Sequence, residues 1–148
     1  MNLTKMTAAA LAAALIAAPA LAGSKGYHCE MDTQKCLDEM ANRASDMGRK
    51  ELFSLFRNDE GKFCAGLFRL LQARGAVPTK NVGAFADKVI ALATEGEQVA
   101  LLIKGQAWVV RKIDEIPPAE MNPDEKTFFA DMREVHVVNI DKCKALPS

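Results

Sequence analysis

Apolar residues recur at helical spacing in three segments of the chain. Over residues 33–47 they return every three or four positions, and Gly48 follows as a natural helix stop. Residues 81–94 repeat this spacing, and Asn81 can cap the segment. A shorter stretch of the same kind spans residues 125–132. The pattern therefore predicts a helix in each of these three segments.

Two runs in the second half of the chain have the pattern of a β-hairpin. Residues 99–103 form a dense apolar run, and residues 107–113 alternate between apolar and other side chains. Gly105 and Gln106 lie between the runs, with glycine first, as a type II′ turn prefers. The β-branched run at residues 135–140 predicts a further strand near the C-terminus.

Residues 51–72 fit two kinds of structure. Apolar residues on either side of the turn-like segment 58–61 fit two strands, because Asn, Asp and Gly favour turns. The spacing of Cys64, Leu67 and Phe68 fits a helix instead. The pattern leaves both readings open, and in either of them the clustered Phe side chains are expected to form core.

The first 22 residues have the features of a secretory signal peptide. Lys5 precedes an apolar run over residues 6–18, and Ala20-Leu21-Ala22 forms a small-x-small cleavage site. A transmembrane anchor is the alternative, but the run is shorter than the about 20 residues that a bilayer span needs. We therefore expect a periplasmic or secreted protein that begins near Gly23 and is not inserted in a membrane after cleavage.

The charge balance bears on the kind of partner. Lys and Arg together number 19, as do Asp and Glu, so the formal net charge is zero. Cleavage removes one Lys and no acidic residue, which leaves one net negative charge on the mature chain. A chain without a basic block is not expected to bind nucleic acid. Its length suits one domain, whose oligomeric state the sequence leaves open.

All four cysteines follow the predicted cleavage site. Their even number in an exported chain favours disulfides, and three pairings are open. Within one helix Cys29 and Cys36 would lie about 10 Å apart, so a bridge between them needs Cys29 outside the helix. We favour Cys29–Cys36, which leaves Cys64–Cys143 to close a long loop and hold the C-terminal tail.

Other chemistry at these residues has less support. A zinc site would need closely spaced ligands, which His28, His136 and the cysteines do not provide. The chain has no Cys-x-x-Cys pair, and a Cys/His nucleophile would need an unpaired cysteine. It also lacks the nucleophile-elbow, phosphate-loop and zinc-protease motifs. The sequence therefore predicts no metal, no cofactor and no catalytic residue, in a protein that is not an enzyme.

Residues 65–113 are expected to form, in order, a loop, a short strand, a helix and a hairpin. Ala65-Gly66-Leu67 stands at the turn, residues 70–75 at the strand, residues 82–93 at the helix and residues 98–113 at the hairpin. In this order the segment resembles the second half of a PDZ domain, as found in exported bacterial proteins and beside HtrA-type proteases. The resemblance implies an α+β fold.

The resemblance also implies a peptide-binding groove. Residues 52–55 stand where a PDZ domain has its carboxylate-binding loop, and the helix that begins at Val82 would form the other wall. A partner peptide would add a strand beside residues 55–57, which begin at the end of this loop. The residues that the resemblance implies for peptide binding are Phe53, Ser54, Leu55, Val82, Ala86 and Val89.

These observations together predict a small disulfide-stapled α+β protein. After the signal peptide at 1–22, residues 23–48 would form a cysteine-bearing helical segment and residues 49–118 a PDZ-like domain. Residues 119–148 would form a C-terminal tail tied by Cys143. The predicted function is that of an exported non-catalytic module that binds a peptide or protein segment by strand addition.

An exported accessory protein is the alternative. It would have a degenerate fold without a peptide groove and would act through its surface. An exposed apolar patch would support this alternative, and the residues expected in it are Phe53, Phe56, Phe63 and Phe68.

Overall fold

The computed structural model describes residues 32–75 and 85–147, and within these ranges the chain forms helices and no β-strand. The α+β fold class is therefore wrong, and so is the resemblance to a PDZ domain, which needs a sheet. The helices are α1 (Asp32–Arg43), α2 (Met47–Ala73), α3 (Phe85–Ile90), α4 (Glu95–Asp114) and α5 (Pro123–Lys144), with a short 3-10 helix at Pro118–Glu120.

Side-chain caps explain where α2 and α4 begin. The Asp46 side chain accepts the backbone N–H of Arg49 over 2.9 Å and starts α2. Thr94 starts α4 by a reciprocal capping box with Glu97. Because Asp46 begins a new helix, the segment predicted as one helix over 33–47 ends at Arg43.

The predicted hairpin over residues 99–113 is instead the continuous helix α4. Its buried residues recur every three or four positions, as on one face of a helix. Gly105 does not form a turn. A Cβ added there would lie 2.7 Å from Cζ of Phe85, so the glycine lets α3 approach α4 closely. Interhelical packing, which a local pattern does not reveal, therefore explains this residue.

Two further stretches predicted or allowed as strands are helical. Residues 51–72 lie within α2, and the turn-like segment 58–61 continues the helix, with Glu60 buried in the protein interior. The strand predicted at residues 135–140 lies within α5, which also includes the short helix predicted at 125–132. The buried residues of α5 follow a helical spacing: Glu125, Phe129, Met132, His136, Asn139 and Cys143.

The helix predicted over residues 81–94 is shorter in the structure. Residues 81–84 lie outside the described ranges, and α3 ends at Ile90. The helix ends there because the capping box of Thr94 already starts α4 four residues later.

Helix packing brings the apolar residues into two clusters. Helix α1 packs on α2 and α3, α2 also packs on α5, and α4 packs on α3 and α5. Cluster A contains Cys36, Leu37, Met40, Ala41, Phe53, Phe56, Ala86, Val89, Leu102 and Cys143. Cluster B contains Phe63, Leu67, Leu71, Val109, Ile113, Ile116, Phe129 and Met132.

The order of the clusters along each helix gives the direction of the bundle. On α2 and α4 the residues of cluster A come before those of cluster B, whereas on α5 the residues of cluster B come first. Helices α2 and α4 therefore run in the same direction and α5 runs in the opposite direction.

The favoured disulfide bridges do not form. Cys36 and Cys143 are buried thiols, so neither Cys29–Cys36 nor Cys64–Cys143 is a bridge. Among the cysteines at positions 36, 64 and 143, no two are joined to each other. Cys36 and Cys143 pack in cluster A as small apolar side chains, which is a common role of buried cysteine. Cys29 lies outside the described residues.

The export prediction concerns a segment that the structure does not describe. Residues 1–22 lie before the first described residue. Among the described helices, none is long and apolar enough to cross a membrane.

Candidate functional site

A set of buried polar side chains lies between clusters A and B. It comprises Glu60 on α2, Gln106 on α4, and His136 and Asn139 on α5, and we name it the polar layer. Along each helix these residues stand between members of the two clusters. None of the four is more than 3% exposed, so their hydrogen bonds must come from within the protein or from a bound species.

Glu60 has a polar contact with a residue from each of two other helices. Gln106 donates through Nε2 to Oε1 of Glu60 over 2.8 Å. Nε2 of His136 lies 3.6 Å from the same carboxylate oxygen. The His136 ring also packs against the ring of Phe63, with centroids 5.7 Å apart.

The backbone fixes the tautomer of His136. Its Nδ1 lies 2.7 Å from the carbonyl oxygen of Met132, one helical turn earlier. A carbonyl oxygen only accepts, so Nδ1 carries the hydrogen. In the neutral ring Nε2 then carries a lone pair, and this atom is the one near Glu60.

Three atoms of the polar layer have no hydrogen-bond partner. They are Oε2 of Glu60, Oε1 of Gln106 and Nε2 of His136. In this arrangement all three are acceptors. A buried polar atom without a partner costs about 1–3 kcal/mol, and a buried water molecule or a bound ion would satisfy these three acceptors.

Other polar groups flank the layer. Asn139 donates through Nδ2 to Oδ2 of Asp59 over 3.1 Å. The Gln34 side chain of α1 lies beside Gly61 of α2, and its buried Nε2 also lacks a partner. Side chains from α1, α2, α4 and α5 therefore place polar groups within or beside the layer.

A pocket lies where α4 begins and α5 ends, and we name it the end pocket. Its volume is about 370 Å³, near the lower end of the range for small-molecule sites. Most of its wall is apolar. The residues that line it are Arg49, Glu95, Gly96, Val99, Ala100, Ile103, Cys143, Leu146 and Pro147.

The cation that lines the end pocket, Arg49, is paired with carboxylates. Arg49 Nε lies 2.8 Å from Oε1 of Glu95, and Arg49 Nη1 lies 3.4 Å from Oδ2 of Asp46. Arg49 also donates through Nη2 to the carbonyl oxygen of Pro147, which holds the C-terminal segment at the pocket. The mouth of the pocket therefore carries no uncompensated cation.

The Cys143 thiol adds no charge to the pocket wall. Burial raises the pKa of this thiol to about 11, because desolvation disfavours the thiolate. The side chain is therefore a neutral thiol at physiological pH and behaves as a small apolar group. Nothing among the residues that the structure describes points to catalysis.

Among the residues proposed for peptide binding, those that the structure describes lie on helices and do not line a common groove. Phe53 and Ser54 are successive residues of α2, where Phe53 is buried in cluster A and the Ser54 hydroxyl donates to the carbonyl oxygen of Lys50 over 2.8 Å. Leu55, the next residue, is 42% exposed. With no strand in the described ranges, these residues border no sheet edge to which a peptide could add.

The other proposed binding residues belong to the core or lie outside the described ranges. Ala86 and Val89 of α3 are buried in cluster A, and Val82 is not described. The apolar surface patch that would support an accessory role is not exposed either. Phe53, Phe56 and Phe63 are buried, and Phe68 packs against cluster B.

The polar layer has a signal in the sequence once α2, α4 and α5 are recognised as helices. Glu60, Gln106 and His136 each stand at a core position of a helical repeat, where an apolar residue is the rule. A polar residue at such a position is informative because it is rarely buried without a partner. The end pocket had no comparable signal, because its residues come from distant parts of the chain.

Comparisons with known proteins give one match. No curated protein and no solved structure matches the chain. A protein-family model matches residues 29–145, and it describes a domain of unknown function, DUF6306. Because the match covers well over half of the sequence, the chain belongs to the DUF6306 family.

Proposed function

We propose that the protein is an exported, non-catalytic binding domain that takes a small, neutral, mainly apolar molecule into the end pocket. The observation that carries this proposal is the open cavity of about 370 Å³ between the start of α4 and the end of α5. Small-molecule sites are typically concave, mostly apolar and formed between helices of a bundle.

The wall of the pocket supports an apolar ligand. Val99 and Ile103 lie one turn apart on α4, and Leu146 faces the same cavity from the segment after α5. A ligand in the pocket would remove this surface from water. Burial of apolar area contributes roughly 25 cal/mol per Å², so a compact apolar molecule gains affinity without many polar contacts.

The electrostatics support a neutral ligand. Arg49 is already paired with Glu95 and Asp46, so an anion would have to compete with two carboxylates. Glu95 is equally unsuited to recruit a cation, because Arg49 lies beside it. The Cys143 thiol adds no charge, so the pocket offers a neutral wall to its occupant.

Export is the part of the proposal that rests on the sequence. Lys5, the apolar run that follows and the Ala20-Leu21-Ala22 site have the pattern of a cleavable signal peptide. Expression of the full chain in a bacterial host tests it. We expect N-terminal sequencing of the protein outside the cytoplasm to begin at Gly23, whereas an uncleaved cytoplasmic chain would contradict export.

Binding can be tested with the neutral apolar dye N-phenylnaphthylamine, whose fluorescence rises when it leaves water. We expect saturable binding of one dye molecule per chain. Replacing Ala100 by Trp would fill the pocket from an exposed position of α4, so Ala100→Trp is expected to abolish the fluorescence rise.

A matched variant controls for the added side chain. Ala130 is also exposed on a long helix but does not line the end pocket, so Ala130→Trp is expected to bind the dye as the wild type does. The proposal would be overturned if the wild type gave no saturable signal, or if Ala100→Trp retained it.

A further inference from the structure

We propose that the polar layer is a binding site for one divalent transition-metal ion. Glu60 of α2 and His136 of α5 would be its principal ligands, and the Gln106 amide oxygen of α4 a third. The inference is independent of the proposed ligand in the end pocket, because the two sites share no residue.

The tautomer of His136 fits metal binding. A metal-binding histidine usually donates its other ring N–H to a backbone carbonyl or a carboxylate, which fixes the ring and leaves a lone pair for the ion. His136 has this arrangement, since Nδ1 donates to the carbonyl oxygen of Met132 over 2.7 Å. Its Nε2 atom is buried, has no hydrogen-bond partner and lies 3.6 Å from Oε1 of Glu60.

The separation of the two principal ligand atoms fits an ion between them. Nε2 of His136 and Oε1 of Glu60 are 3.6 Å apart, beyond the ordinary range of an N–H···O hydrogen bond. Ligand atoms that each lie about 2.1 Å from a tetrahedral zinc ion are about 3.4 Å from each other. The observed separation is therefore longer than an ordinary hydrogen bond and close to the separation of two ligand atoms on one zinc ion.

The ion would also satisfy the unpaired acceptors of the layer. Glu60 Oε2 and Gln106 Oε1 lack hydrogen-bond donors, and Glu60 is nearly fully buried. A buried carboxylate needs a compensating positive charge. A mixed imidazole and oxygen ligand set suits zinc, cobalt, nickel or iron better than calcium or magnesium, which prefer oxygen ligands alone.

The proposed site would not be built from His, Cys, Asp and Glu side chains alone. Across residues 32–75 and 85–147, no three His, Cys, Asp or Glu side chains are grouped to hold a metal. The ion would take two ligands from those residue types and complete its coordination with the Gln106 amide and water. It also departs from the sequence-based expectation of no metal, which considered only closely spaced ligands.

Burial gives the ion a structural role. The three side chains come from three helices and lie between clusters A and B, so the ion would tie α2, α4 and α5 together. A ligand that binds only the folded state stabilises it by mass action. The metal is therefore expected to raise the thermal unfolding midpoint of the protein.

Cobalt(II) is a suitable probe, because its visible absorption reports nitrogen and oxygen ligands. The mature protein, freed of metal with a chelator, would be titrated with Co²⁺ and followed by absorption and by thermal unfolding. We expect saturation at one Co²⁺ per chain and a higher unfolding midpoint. Absence of binding, with the unfolding midpoint unchanged, would overturn the proposal and leave the layer to water alone.

Variants locate the ion. Glu60→Gln and His136→Gln each replace a principal ligand, a carboxylate or an imidazole, by a weaker amide ligand at nearly constant volume, and each is expected to bind Co²⁺ at least about tenfold more weakly. The chain has one other histidine, so His28→Gln is the matched control and should bind as the wild type does. Equal affinity in His136→Gln and the wild type would contradict the proposal.

A measurement on the wild type covers the case in which a variant does not fold. With ¹⁵N-labelled histidine, zinc(II) should shift the Nε2 resonance of His136 while its Nδ1 keeps its hydrogen. Assignment of the shifted resonance to His28, or no shift at all, would contradict the proposed ligand.

Discussion

Arg74 donates hydrogen bonds to both carboxylate oxygens of Glu125, and so joins the end of α2 to the first turn of α5. Arg74 Nη2 also donates to the carbonyl oxygen of Glu120 over 3.0 Å. The Glu125 side chain is only 2% exposed, and it completes the capping box of Asn122 as well. One side chain pair therefore fixes where α5 begins relative to α2.

Removing the cation from this pair is expected to destabilise the protein strongly. Arg74→Met would leave the Glu125 carboxylate buried without its partner, which we expect to lower the free energy of unfolding by about 2–4 kcal/mol. Arg133→Met is the control, because Arg133 and Asp114 form an exposed pair on the surface. Its expected effect is below about 1 kcal/mol. Urea unfolding followed by circular dichroism measures both, and equal effects would contradict the assigned role.

The same pair predicts a loss of stability in acid. The Arg74 hydrogen bonds are the largest influence on the pKa of Glu125 and lower it below its ordinary value of 4.5. The folded-state pKa is thus below the unfolded-state pKa, so this contribution is present above pH 4.5 and is lost as pH falls through the folded value. As the pH is lowered below 4.5, the urea concentration at the unfolding midpoint should decrease in the wild type. It should decrease less steeply in Glu125→Gln. Parallel curves would argue against Glu125 as the group responsible.

Gly66 of α2 lies too close to a neighbouring ring to accommodate a larger side chain without strain. A Cβ at Gly66 would overlap the ring of Phe128, which packs edge-to-face on Phe63 and Phe129. Alanine favours a helix over glycine by about 1 kcal/mol, but overpacking costs about 1–3 kcal/mol. We expect Gly66→Ala to lower the unfolding free energy by up to about 2 kcal/mol, as measured by urea unfolding.

Gly96 provides the matched comparison for that substitution. It lies in the first turn of α4, and a Cβ there would meet no atom within 4 Å. Gly96→Ala should therefore be neutral or stabilising. Adding Phe128→Leu to Gly66→Ala should recover part of the loss, and failure of this rescue would show that the clash is not with Phe128.

The Cys143 thiol is expected to react slowly while the protein is folded. Burial raises its pKa from 9.0 to about 11, which lowers the thiolate fraction near neutral pH about a hundredfold. The thiol is also only 3% exposed. Iodoacetamide at pH 7.5 should label Cys143 at least about a hundredfold faster in urea than in buffer, as judged by mass spectrometry of the peptides. Similar rates in both solutions would contradict this burial.

The sequence indicated some helices correctly and missed others for an identifiable reason. The amphipathic spacing of residues 33–47 predicted a helix there, and α1 confirms it except at its C-terminal end. The same spacing exists in α4 and α5, but Gly105 and the β-branched run at 135–140 suggested a turn and a strand. Those residues are explained by contacts between helices, and such contacts override local preference.

The candidate sites were missed for two different reasons. The polar layer depends on recognising α2 and α4 as helices, because only then do Glu60 and Gln106 fall on their buried faces. The end pocket combines the first turn of α2, the first turns of α4 and the end of α5. Without the arrangement of the helices, nothing along the chain indicates that these segments meet.

The polar layer also restricts how far one helix can slide along another. A shift of α5 by one turn, about 5.4 Å, would separate His136 from Glu60. An apolar residue of α5 would then lie opposite Glu60. Apolar residues alone would tolerate such a slip, whereas a buried carboxylate without its partners would not. Replacing Glu60, Gln106 and His136 together by Leu should therefore keep the helix content measured by circular dichroism while broadening or doubling the amide resonances. We therefore expect these few polar atoms to set the axial register of the bundle, as a single buried asparagine does in a coiled coil.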